Sequence, residues 1–130
     1  MQGADERGRW ILWLESAEID EDLVGGFQLR RIPQNARVDR RCTVLRGAAA
    51  RIELSGKFGL GSPRERILEA LGPPTVIENA GRTLIYLHQH QEEKMGDPKG
   101  PQPFPVVNNV IILLKQGVVE AIGATKYTLW

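Results

Sequence analysis

The chain has 130 residues, 42% of them hydrophobic and 25% charged, with a net charge of +1. That is the composition of a soluble globular chain long enough for its own core, and it gives no global attraction to nucleic acid or anionic lipid. The single cysteine, Cys42, excludes an internal disulfide and a multi-cysteine zinc site, and no apolar run approaches the length of a membrane span.

In chain order, residues 1–8 are polar and read as a loose leader, not a signal peptide. The chain is therefore expected in the cytoplasm or, if a leader has been removed, in the periplasm or cell envelope. Residues 9–15 place Trp10, Leu12 and Leu14 on one alternation and Ile11 and Trp13 on the other, a strand with both faces partly covered. Residues 15–22 are acidic. Asp20 and Asp22 precede a glycine, yet Val24 and Arg31 stand where a calcium loop needs oxygen ligands, so a solvated loop is expected. Residues 27–32 form a second strand that stops at Pro33, and 34–37 a turn. Residues 41–45 and 49–55 are two more strand candidates. In the latter, Ala50, Ile52 and Leu54 alternate with Arg51, Glu53 and Ser55, and a helix over 48–54 is the competing reading.

The basic residues from 30 to 46 are all arginine: Arg30, Arg31, Arg37, Arg40, Arg41 and Arg46. Arginine forks suit phosphate and carboxylate groups, but the aromatics that interleave a nucleic-acid surface are missing. Solvated faces, partly paired with the acidic 15–22 stretch, are expected, and no nucleic-acid partner.

Residues 59–74 carry the strongest local signal. Ser62 sits at an N-cap position, Pro63 opens a helix, and Glu65 stands three residues after Ser62 as in a capping box. Ile67, Leu68 and Leu71 fall on one face, and Gly72-Pro73-Pro74 closes the helix. A helix of about two to three turns is marginal alone, so its apolar stripe must pack on something. Residues 75–78 form a short strand and 79–81 a turn. Residues 83–90 form a strand with Leu84, Tyr86, His88 and His90 on one face and Ile85, Leu87 and Gln89 on the other. Residues 91–105, broken by Gly96, Pro98, Gly100, Pro101, Pro103 and Pro105, read as a long loop. Residues 106–114 are the most apolar stretch and the expected central strand. A turn at Gly117 leads to a hairpin strand over 118–122, which 125–130 extends or follows.

With this order of elements, residues 59–122 resemble the SmpA/OmlA (BamE-like) family of small bacterial envelope proteins. The resemblance is carried by Gly61-Ser62-Pro63, Leu71-Gly72-Pro73, the Tyr86 strand, and Val110, Ile112 and Leu114 followed by Gly117-Val118-Val119. It covers about half of the chain, in the layout of the β-lactamase-inhibitor-like fold. It implies a helix packed on an antiparallel sheet and a scaffold role in the envelope, with membrane proximity. The expected fold is α+β: short helix or helices on an antiparallel β-sheet. A single domain spans 1–130, with 1–58 strand-rich and 59–130 helix plus sheet.

Catalytic signals are absent. No G-x-S-x-G elbow, phosphate loop or dinucleotide fingerprint occurs, and no cofactor is expected. His88 and His90 point to one face of a strand, and with Glu92, Glu93 and Asp97 nearby they make the one constellation that could ligate a metal, Glu92 or Glu93 being the third ligand, in a metal-binding protein or small enzyme. A solvent-side histidine pair is the simpler expectation. The leading reading is a non-enzymatic interaction or scaffold domain of the cell envelope, binding a protein partner. The 91–105 segment would dock it, with Phe104 as an aromatic anchor between Pro103 and Pro105. Ile85, Leu87, Ile111 and Leu113 are too many apolar groups for a solvated face, so either residues 1–58 or a second protein should cover them. The other class is a cytoplasmic domain binding an anionic partner through its arginines.

Overall fold

The computed structural model describes residues 1–16, 24–47, 52–94 and 102–128. In chain order the elements are β1 (Gln2–Asp5), β2 (Gly8–Ser16), β3 (Val24–Ile32), β4 (Glu53–Leu54), β5 (Phe58–Gly59), α1 (Arg64–Leu71), β6 (Val76–Glu78), β7 (Thr83–Lys94), β8 (Gln102–Lys115) and β9 (Val118–Thr128). Seven strands make one antiparallel sheet in the order β1-β2-β3-β9-β8-β7-β6, and β4-β5 is a separate small hairpin. Two meanders, β1–β3 and β6–β9, meet where Gly26 to Arg30 of β3 pair with Thr125 to Ala121 of β9.

The expected α+β class is corrected by this architecture. Of the described residues 60% are strand and 8% helical, so the fold is mostly β with one short helix. The physical reason is coverage: eight helical residues cannot roof seven strands. α1 buries Ile67 over the cluster of Leu84, Ile112, Leu114, Val119 and Ile122. Toward β2 and β3 that face is roofed by the irregular connector, whose Leu45, Ile52 and Leu60 pack on Trp10 and Leu29, and whose Leu54 and Phe58 join the first cluster. Burying apolar side chains does not require them to lie on a helix.

Other expectations change in the same way. Residues 1–8 are not a loose leader. β1 pairs with β2 from Gln2–Ile11 to Asp5–Gly8, and the chain at Thr43 and Leu45 bonds Gln2 along its outer edge. Gly3 permits this, because the Trp10 indole lies across it where any Cβ would collide. Residues 41–45 form no strand beyond a single bridge at Val44. Of the 49–55 candidate only β4 is strand, and residues 48–51 lie outside the described residues, as does most of the acidic 15–22 stretch. The middle strand is β9, not β8.

The helix begins one turn-residue later than the capping box requires. Pro63 is the N-cap, extended at φ −70° and ψ 157°, and no side chain caps it. The Ser62 hydroxyl instead accepts the Gly59 amide at 3.0 Å. Pro63 bridges Val118, and the Arg64 amide donates to the Gly117 carbonyl, so the sheet itself fixes the helix start. At the other end Gly72 closes α1 as expected, its amide donating to the Leu68 carbonyl and its own carbonyl accepting the Tyr86 hydroxyl at 2.8 Å.

Candidate functional site

The sheet has one roofed face and one open face. On the open face lie Trp13 of β2, Gln28 and Arg30 of β3, Ala121 and Gly123 of β9, Ile111 and Leu113 of β8, and Leu87 of β7. Trp13, Leu87, Ile111 and Leu113 are 42%, 47%, 37% and 43% exposed, far from core values for such side chains. The described part of residues 1–58 does not cover them. It widens the sheet and roofs the opposite face.

The relief of this face follows from β9. Ala121 and Gly123 alternate onto it, and a Cβ built at Gly123 meets nothing within 4 Å. Their small size leaves a trough of about 330 Å³ along the middle strand, walled by Ile111 and Leu113 on one side and by Gln28 and Arg30 on the other. The rim beyond is ordered by two contacts. The Arg30 guanidinium stands 5.2 Å over the Trp13 ring, and Gln28 donates to the Glu15 carboxylate at 3.1 Å. Arg30 therefore carries a charge with no carboxylate against it among the described residues.

The histidines lie on the opposite face, at the far end of the β7–β9 hairpins. His88 and His90 stack at 5.6 Å between centroids. The Asn108 amide reaches His90 Nδ1 at 3.4 Å, which leaves Nε2–H to donate to Glu92 Oε1 at 3.0 Å. The Lys126 ammonium donates to the same Glu92 oxygen at 2.7 Å. The hydrogen bonds from Lys126 and His90 hold the Glu92 carboxyl below its usual range. The structure thus puts His90 on both His88 and Glu92, and the Glu92 oxygen that would serve as the third ligand is taken up by His90 and Lys126. Among the described residues no group of three His, Cys, Asp or Glu side chains could hold a metal ion.

Phe104, Pro103 and Pro105 do not sit on a loop. They belong to β8, opposite Glu92, Glu93 and Gln91 of β7. Prolines fit there because even-numbered residues of β8 bond β7, as the Leu114 amide does with the Arg82 carbonyl, while odd-numbered nitrogens face away. Phe104 and Pro105 are half-buried and Pro103 is exposed. The arginines are dispersed rather than gathered into a patch. Arg30 is on the open face and Arg31 on the roofed one, where both its terminal nitrogens bond Asp5 at 2.8 and 2.9 Å. Arg37, Arg40, Arg41 and Arg46 lie exposed along the connector, with Arg41 on Asp39. Cys42 is half-buried.

Sequence reading named Ile85, Leu87, Ile111 and Leu113 as one apolar face but missed the trough. The signal was present as small residues at 121, 123 and 125; ending the strand at 122 hid it. Comparison with family models, with curated proteins and with solved structures finds no match, so the resemblance of residues 59–122 to the SmpA/OmlA family rests on its motifs alone.

Proposed function

We propose that this domain is a non-enzymatic protein-docking module whose open sheet face receives an amphipathic helix of a partner. The observation that carries the reading is Gly123. A glycine in the middle of a seven-stranded sheet weakens its strand and packs nothing, and close approach by a ligand or another backbone is one of the uses such a position has, beside bulges and bends. Here it floors a trough walled by Ile111 and Leu113. An apolar helical ridge fits that relief, and an acidic residue on the helix flank would meet Arg30 at the rim. The bacterial envelope is the setting the motif resemblance implies, and it is carried here as part of the proposal.

Gly123→Leu tests the reading. The added side chain points into open space, so folding is expected to survive while the trough is filled. The wild-type domain should capture a discrete partner from its native cells, and the variant should lose it with unchanged melting. Photo-crosslinkers at Leu113 and Ala121 should label partner residues spaced three and four apart. Labels at every second residue would mean a strand, and retention of the partner by Gly123→Leu would place docking elsewhere.

A further inference from the structure

Among the described residues the outer edge of β7 is only partly paired. β6 covers it from Thr83 to Ile85, and Thr75 extends the cover: its amide donates to the Ile85 carbonyl, and its hydroxyl accepts the Leu87 amide at 3.0 Å. These bonds fix the phase of the strand. Odd-numbered residues of β7 turn their main-chain groups outward and even-numbered ones toward β8. β7 continues to Lys94, so the outward amides and carbonyls of Gln89, Gln91 and Glu93 have no described strand beside them. β1, at the other edge, is bonded by the chain at residues 43–45. A bare row of main-chain donors and acceptors is a template for strand addition.

We infer that this edge pairs with the same edge of a second copy, antiparallel about a two-fold axis at Gln91, to join two sheets into one. The centre is set by what is available. Among the described residues the stretch without a strand partner on this edge is 89–93, whose midpoint is residue 91, and a two-fold there exchanges about six main-chain hydrogen bonds through Gln89–Glu93, Gln91–Gln91 and Glu93–Gln89 pairs. Moving the axis to His90 would keep only the two Gln89–Gln91 pairs, because Glu93 would then face Leu87, whose amide is already bonded to Thr75. Moving it to Glu92 would set two carboxylates against each other. The axis at Gln91 sets His90 of each copy beside Glu92 of the other, on the face where Glu92 already accepts from His90 and Lys126. The described side chains on this edge, Gln89, His90, Gln91 and Glu92, are polar. They select the register while the main chain supplies the bonds. The pairing does not depend on the trough and leaves it open in both copies.

Sedimentation over a concentration series tests the inference, with the chain expected to reach twice its 14.5 kDa mass reversibly. Gln91→Pro removes an amide that points away from β8, so the monomer should keep its circular dichroism and melting but lose the dimer. A cysteine scan reads the register. Residues opposite each other in a bonded antiparallel pair have Cα atoms about 5.5 Å apart, within disulfide range. In a Cys42→Ser background, Gln91→Cys should form an interchain disulfide under mild oxidant. Gln89→Cys should not, since its two copies would stand about 14 Å apart. A chain that stays monomeric with Gln91→Cys unlinked would overturn the inference. So would a dimer that survives Gln91→Pro, or one that Gly123→Leu dissolves while Gln91→Pro does not.

Discussion

At the residue scale the half-buried pair Asp5–Arg31 ties the first hairpin to β3. Both carboxylate oxygens accept from the guanidinium, and the Arg7 amide adds a third bond at 2.9 Å. Burial acts to raise the Asp5 carboxyl, but the Arg31 hydrogen bond, the backbone amides of Arg7 and Gly8 and the Arg31 charge outweigh it, so the group sits below its usual range. A carboxyl depressed on folding contributes stability that is full above its unfolded value, about 3.9, and is lost as pH falls through the lower folded value. Asp5→Asn should flatten the stability profile in that acidic window, as urea titrations at a series of pH values would record. Near neutrality Asp5→Ala should cost about 1–3 kcal/mol, since Arg31 keeps its charge and loses its fork. A second residue-scale test uses Gly3, which the Trp10 indole covers. Gly3→Val should displace that buried ring at about 1–3 kcal/mol and redden its fluorescence. Unchanged emission and stability would show that β1 can move aside.

At the element scale the helix start is set by tertiary contacts, and that changes what mutation should do. A capping box predicts a coupled loss for Ser62 and Glu65. Here Ser62→Ala strands the amide of buried Gly59 and should cost about 1–2 kcal/mol. Exposed Glu65 caps nothing, so Glu65→Ala should stay within about 0.5 kcal/mol, and the double mutant should be additive. Coupling above that level in a denaturation cycle would restore the box. The same contrast explains what was legible. α1, the two chain-reversing turns at 79–81 and 116–117, the faces of β7 and the start of β9 follow local rules of period and turn chemistry, and sequence reading placed them. β1 was not legible, because Gln2 to Asp5 owe their strand to partners at Ile11 to Gly8 and to Thr43. Residues 91–94 and 102–105 read as loop because proline disfavours a strand, and only the phase of the β7–β8 ladder reveals that Pro103 and Pro105 need no amide there. The floor of the trough was legible in the small residues of β9, but its walls were not: they depend on which strands flank β9, and β3 is almost a hundred residues away in sequence.

At the scale of the whole molecule that distant pairing decides whether the second half can stand alone. Between β9 and β3, Ala121 to Thr125 exchange main-chain bonds with Arg30 to Gly26. Cutting the chain before Gly59 would bare those groups along the length of what is the middle strand. It would also remove Phe27, Leu54 and Phe58 from the cluster of Ile67, Leu84, Ile112 and Ile122. What remains is four strands and an eight-residue helix with both faces partly open, a small core for independent stability. A fragment of residues 59–130 is therefore expected to stay unfolded or aggregate. Mixing it with a 1–58 fragment should restore dispersed amide resonances, because the missing strand and side chains come back together. The intact chain should unfold in one transition by tryptophan fluorescence, which reports mainly on β2, and by far-UV dichroism, which reports on the whole sheet. A folded, monomeric 59–130 fragment would overturn this. It would also give the motif resemblance of that half its first physical support, since a self-standing helix-plus-sheet unit is what the resemblance implies.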